Sequence, residues 1–170
     1  MRATPVRPKP SAFYFAYGSE MSPEAMAVRL GHSPQGRPAV LRGFRLAFSS
    51  FSKDWGGGVA DIVEEEGADV EGVLFPLSAR DVLRLNVQEG LEEGDYRRRM
   101  VTVELEDGSP QEAMAYVVAD KRPHVRPSQD YLDEMVSCAT EQGLSEAYVH
   151  FLLQLYTDPD ASPQLPRDDE

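Results

Sequence analysis

Glu89 stands where a carboxylate could move protons. It lies in the run Leu85-Asn86-Val87-Gln88-Glu89-Gly90-Leu91, at the end of an amphipathic helical pattern, with glycine directly after it and Val87 and Leu91 two positions to either side. A carboxylate among apolar neighbours loses hydration, its charged form becomes costly and its pKa rises. A glutamate tuned in this way works as a general base or acid near neutral pH. A second segment, Tyr14-Phe15-Ala16-Tyr17-Gly18-Ser19, reads as a strand running into a tight turn ahead of a helix. Backbone amides at such a turn suit a carboxylate or a developing oxyanion. Residues 14–19 need a partner acid or base to do chemistry, and Glu89 is the best candidate. The bland alternative is a buried first strand with a tight turn, and a helix-ending glutamate in solvent.

Other catalytic constellations are poorly represented. The three histidines, His32, His124 and His150, are far apart and lack ligand spacing. There is no C-x-x-C and no H-E-x-x-H, so no metal is expected. Tyr17-Gly18-Ser19 is not the G-x-S-x-G of a nucleophilic serine, and nothing supports a Ser-His-Asp triad. Gly56-Gly57-Gly58 lacks the Lys-Ser/Thr that completes a phosphate loop. Cys138 sits in an apolar helical pattern and reads as a small core residue.

The elements that must position these residues follow from local signals. Phe13–Tyr17 reads as a buried first strand stopped by Gly18. Ser22-Pro23-Glu24 starts a helix, with Ser as N-cap, Pro in the first turn and an acid near the positive end; Gly31 closes it. Val40–Phe51 alternates as a strand does. Trp55-Gly56-Gly57-Gly58 is a loop needing unusual backbone angles or close approach. Val59–Val63 and Val70–Phe75 read as strands around an acidic turn, Glu64-Glu65-Glu66-Gly67. Ser78–Gln88 is helical, opened by a capping-box-like pair, Ser78 and Asp81. Tyr96–Leu105 and Gln111–Val118 form a hairpin across Asp107-Gly108. Helices follow at about Ser128–Gln142 and Ser145–Tyr156, separated by Gly143. Strands dominate the first two-thirds, helices the end, and no βαβ alternation appears, so the fold class is α+β.

Composition narrows the function further. A chain of 170 residues with 41% apolar content suits one domain with a sizeable core. We expect a short N-terminal tail over 1–11, a single domain over 12–157, and an acidic, disordered C-terminal tail over 158–170. No apolar run approaches the roughly 18–20 residues that cross a bilayer, and the first residues carry no apolar core of a secretory signal. A membrane partner is therefore not expected. The single cysteine permits no internal disulfide, which fits a reducing, cytoplasmic location. The net charge of −12 would repel phosphate backbones, so nucleic acid is not expected either. Arg97-Arg98-Arg99 is a local exception and reads as solvated edge charge or structural pairing on a strand.

Several segments, in order from about Phe13 to Leu155, resemble the γ-glutamylcyclotransferases. Phe15-Ala16-Tyr17-Gly18-Ser19 resembles the family's glycine-containing substrate loop. Trp55-Gly56-Gly57-Gly58-Val59-Ala60 is similar to a Trp-x-Gly-Gly-x-Ala segment. Gln88-Glu89-Gly90 followed by Gly94-Asp95-Tyr96 resembles the catalytic segment, with the same interval from Glu to Tyr. Tyr131, in Pro127-Ser128-Gln129-Asp130-Tyr131, is similar to a substrate-contacting tyrosine, and Gln142-Gly143-Leu144 with Tyr148 resembles the closing helices. The resemblance implies an enzyme that turns a γ-glutamyl-amine bond into 5-oxoproline and a free amine. For members with the Trp-Gly-Gly segment it implies γ-glutamyl-L-α-amino acids as substrates. It also implies a compact mixed-strand barrel with flanking helices, no cofactor, and often a homodimer.

Such a substrate carries its own nucleophile, the α-amine, so no Ser or Cys is required. Orientation for an intramolecular ring closure can contribute several kcal/mol, up to about 7–11. Glu89 would take the amine proton and return it to the departing amine. Amides around Gly18 and Ser19 would hold the glutamyl carboxylate or the oxyanion, and Tyr96 and Tyr131 would donate hydrogen bonds. Tyr96 also suits a strand-end core aromatic, and Tyr131 a helix-face packing residue. One departure stands out. The family usually has Asn after Tyr-Gly-Ser; this chain has Glu20. Asn donates and accepts, whereas a carboxylate only accepts. Glu20 facing the substrate would weaken carboxylate binding or favour a cationic substrate; facing solvent, it would merely suit the adjacent helix dipole.

Overall fold

Five strands close into a barrel in the order β1-β3-β2-β4-β5. The computed structural model describes residues 9–90 and 94–158; the expected N-terminal tail up to residue 8, the acidic tail from 159 and Leu91 lie outside the described residues. The strands are β1 (Ala12–Ala16), β2 (Arg37–Ser52), β3 (Gly57–Leu77), β4 (Tyr96–Leu105) and β5 (Pro110–Val118). Neighbours pair antiparallel except β1 and β5, which close the barrel in parallel at Tyr14 opposite Met114. The helices are α1 (Pro23–Leu30), α2 (Ala79–Gln88), α3 (Gln129–Glu141) and α4 (Glu146–Gln154). This is the α+β mixed-strand barrel that the resemblance implies.

The helix ends form where the capping residues stand. The Ser22 hydroxyl accepts from the Ala25 amide at 3.1 Å, and Gly31 ends α1 in the left-handed region at φ 78°. Ser78 and Asp81 close a reciprocal capping box on α2. Side chains from all five strands and all four helices fill one core, with Phe15, Phe75, Leu41, Leu85, Met135 and Leu152 among its fully buried members. Cys138 is one of its buried residues, as its apolar setting predicts, and burial pushes its thiol up to about 12.

The acidic run at 64–67 is not a turn. β3 passes through it as part of one strand of 21 residues. β2 is long enough, at 16 residues, to pair with both halves. Arg42 sits opposite Asp69 and Phe44 opposite Glu64, so Gly43 alone faces residues 65–68 as a bulge. Gly43 and Gly67 take positive φ there, at 83° and 84°. A continuous partner strand satisfies the backbone without reversing it, and the extra residues are absorbed as local twist. Arg45 and Arg99 pair with Glu65 and Glu64 across this surface, and the Arg99 guanidinium lies over the Phe44 ring.

Candidate active site

Glu89 owes its burial to where α2 ends rather than to its sequence neighbours. Val87 points outward and is 79% exposed. Leu85, four residues before Glu89, is fully buried, and side chains four apart share a helix face. Glu89 therefore turns inward, with 8% exposure, as the C-cap of α2. Gly90 follows at φ 64°, where a β-carbon would also come within 2.6 Å of Asp95 Oδ2. That glycine turns the chain back so that the Asp95 amide reaches the Gly90 carbonyl at 3.1 Å, ahead of Tyr96.

The Glu89 carboxylate opens into a cavity of about 710 Å³ on the barrel. Tyr14, Tyr17, Gly18, Ser19, Glu20, Tyr96 and Tyr131 line it too. Phe15 and Ala16 do not. They are 0% and 1% exposed and pack beside Gly72 in the barrel wall.

Arg29, from α1, is the residue that the sequence reading missed. Its Nη1 donates to Glu89 Oε1 at 2.9 Å and its Nη2 to Glu20 Oε1 at 3.1 Å. Glu20 thus faces the cavity, not bulk solvent. Burial raises Glu89 to about 7, the Glu20 charge adds to that rise, and Arg29 opposes it. Burial works against the Arg29 charge, but Glu20 and Glu89 hold its guanidinium above its ordinary value. A sequence signal for Arg29 existed only in part: it lies one residue before Leu30 on α1, beside the apolar stripe of Met26 and Leu30. Nothing local tied it to a residue 60 positions away.

The loop side of the cavity is pinned by tyrosines. The Tyr17 hydroxyl donates to the Tyr116 carbonyl. The Tyr131 hydroxyl accepts from the Ala60 amide at 2.9 Å and hydrogen-bonds the Ser19 backbone, which leaves its own proton to donate. A β-carbon on Gly18 would fall 2.6 Å from that hydroxyl. Trp55 meets the Tyr131 ring edge-on at 5.2 Å. The glycines after Trp55 answer both needs the sequence suggested. Gly56 takes φ 71°, and a β-carbon on Gly58 would lie 1.9 Å from the Val125 carbonyl oxygen. Asp61, fully buried on β3, accepts from the Val118 amide at 3.0 Å and from Lys121 Nζ at 2.6 Å. It thereby holds the segment that brings Asp120 and Arg122 to the cavity rim. Burial, then the charge of Glu89, keeps the Tyr96 phenol well above its ordinary value, so it is a donor at neutral pH. Among the described residues no group of His, Cys, Asp and Glu is arranged to hold a metal ion.

The fold is a closed five-stranded barrel with flanking helices that carries a buried carboxylate in a polar cavity. Comparison with known proteins identifies the class. The AIG2-like family matches residues 69–152. The γ-glutamylcyclotransferase of Bos taurus is 32% identical over 142 residues, covering 81% of this chain and 75% of the relative. That of Homo sapiens is 30% identical over 142 residues, with the same coverage. A solved γ-glutamyl cyclotransferase structure superposes with a TM-score of 0.77 at 28% identity, covering 84% of this chain and 86% of the other. The chain belongs to the γ-glutamylcyclotransferase family and is an enzyme of that type. No helix among the described residues is long and apolar enough to cross a membrane.

Proposed function

We propose that this enzyme converts a γ-glutamyl-L-α-amino acid into 5-oxoproline and the free amino acid, with Glu89 carrying the proton. The observation that carries this reading is Glu89 itself, buried in the cavity, hydrogen-bonded by Arg29 and raised to about 7. An ordinary carboxylate is too weak a base for an ammonium, whereas one near 7 is matched to both halves of the task. The α-ammonium gives a proton to Glu89, and the freed amine attacks the γ-carbonyl carbon. As the new C–N bond closes the five-membered ring, the attacking nitrogen sheds a second proton; the amide C–N bond breaks, and both protons, relayed in turn by Glu89, leave on the departing nitrogen as an ammonium. The amides at Gly18 and Ser19 and the hydroxyls of Tyr96 and Tyr131 would orient the glutamyl group and its oxyanion.

A second reading keeps the chemistry and changes the leaving group. Glu20 in the cavity, with Asp54, Asp95 and Asp120 on its lining, favours a γ-glutamyl-amine whose leaving group is cationic. Incubation with γ-glutamyl dipeptides, γ-glutamyl-amines and glutathione, assayed for 5-oxoproline, separates the two. Product from none of them would end the enzyme reading for this site; preference for the amines would favour the second.

A further inference from the structure

One guanidinium serves two carboxylates, Glu89 and Glu20. Arg29 Nη1 lies 2.9 Å from Glu89 Oε1 and Nη2 lies 3.1 Å from Glu20 Oε1. Resting on the reading of Glu89 as proton carrier, we propose that Glu20 is a positioning residue that sets the working pH of the reaction by holding half of the Arg29 guanidinium away from Glu89.

The argument is one of charge balance in a confined site. With all three groups ionised the cluster carries a net negative charge in partial burial, and binding a proton relieves it. The proton goes to the carboxylate with less access to water. The Glu89 side chain is 9% exposed and that of Glu20 21%. An amide at position 20 would accept or donate hydrogen bonds but add no charge, leaving Arg29 to compensate Glu89 alone. Glu89 would then stay ionised to lower pH and become a weaker base.

Groups from the surrounding elements do not replace this effect. Tyr14 from β1, Tyr96 from β4 and Tyr116 from β5 lie within electrostatic reach of Glu89, and burial keeps all three neutral. Asp61 on β3 is tied to Lys121, Asp95 adds negative charge beside Gly90, and Arg98 acts on Tyr116 from β4. Glu92 and Glu93 lie outside the described residues. Among the described residues, Arg29 is the cation that hydrogen-bonds Glu89.

The consequence for the reaction is a trade. An α-ammonium near 8 passes its proton readily to a carboxylate near 7 and poorly to one in the ordinary range. In return the enzyme loses its base below neutral pH, so the acid limb of its pH–rate profile lies near 7.

The test compares the full chain with Glu20→Gln and Glu20→Asp. Two readouts are taken: the pH dependence of kcat/KM with a γ-glutamyl dipeptide, and the midpoint of the Glu89 side-chain carboxyl resonance in ¹³C NMR. We expect Glu20→Gln to move both the acid limb and the midpoint down by about one unit, and Glu20→Asp, which keeps the charge, to restore values near the original. An unmoved limb and midpoint in Glu20→Gln would overturn the proposal, as would an equal displacement in Glu20→Asp. Should Glu20→Gln fail to fold, Glu20→Asn, which also removes the charge, is read by the same criterion. The NMR midpoint needs no turnover, so a chain that made no 5-oxoproline would fail the proposed function while this inference was still decided.

Discussion

On one side of the cavity Glu20, Arg29 and Glu89 share three charges over two hydrogen bonds; on another, Tyr17 and Tyr131 direct their hydroxyls to the backbone, and Asp61 behind them binds the Val118 amide and Lys121. The second arrangement stabilises, because each buried polar atom there meets a donor or acceptor. The first is left with a carboxylate that would be easier to bury neutral. The difference shows how a small barrel divides its work. The tyrosine side is satisfied by hydrogen bonds to the backbone of the cavity wall. The charged side retains an electrostatic imbalance, which costs stability near neutral pH and raises the proton affinity of Glu89.

The sharpest break of this comparison is Glu89→Gln. It removes the proton carrier but keeps shape and hydrogen-bonding capacity, so kcat is expected to fall about 10³-fold, within the range for general acid–base catalysis. Ligand binding, followed by calorimetry with a γ-glutamyl dipeptide, should persist. Near-normal turnover in this variant would remove Glu89 from its role. Next in size is a change on the satisfied side. Gly58→Ala places a β-carbon 1.9 Å from the Val125 carbonyl oxygen, so backbone must move, and unfolding in urea should show a loss of about 3 kcal/mol.

Glu89→Gln also tests the charged side as a matter of stability. The folded value of about 7 exceeds the ordinary 4.5, so between those limits the folded protein holds a proton that the unfolded chain releases. That contribution is complete below pH 4.5 and is lost as pH rises through 7. The original chain should therefore lose about 3 kcal/mol relative to the Gln variant between pH 4 and pH 8. Parallel pH profiles for the two would contradict the imbalance. Smallest is Tyr131→Phe, which leaves the buried Ala60 amide without its acceptor. It should cost about 1 kcal/mol in urea denaturation with little dependence on pH. A pH-dependent loss there would blur the distinction between the two sides.

Much of this arrangement is readable before folding. Ser22, Gly31, Ser78 and Asp81 mark helix ends because capping acts over three or four residues, and the hairpin across Asp107-Gly108 forms where its turn residues stand. Glu89 is legible as a candidate and its burial is met, but for a different cause than its neighbours suggest. Val87 faces water, and α2 turns Glu89 inward on the Leu85 face. The acidic run at 64–67 misleads because its fate depends on β2 lying alongside it. Phe15 and Ala16 read as site residues with the rest of their motif, whereas in the fold their side chains are buried in the barrel wall, a placement that depends on β3 lying alongside β1.

What the sequence by itself determined is local: the caps, the turns, the glycines at positive φ, and a carboxylate at a helix end in an order of motifs specific to one family. What only the tertiary structure decided is the company that carboxylate keeps. Arg29 stands 60 residues from Glu89 and nine from Glu20, and it reaches both because α1 packs against α2 and against the turn at Ser19–Met21. Local preferences act over a turn of chain, whereas charges act through space, so the proton affinity of Glu89 exists only once the fold has brought the three groups together.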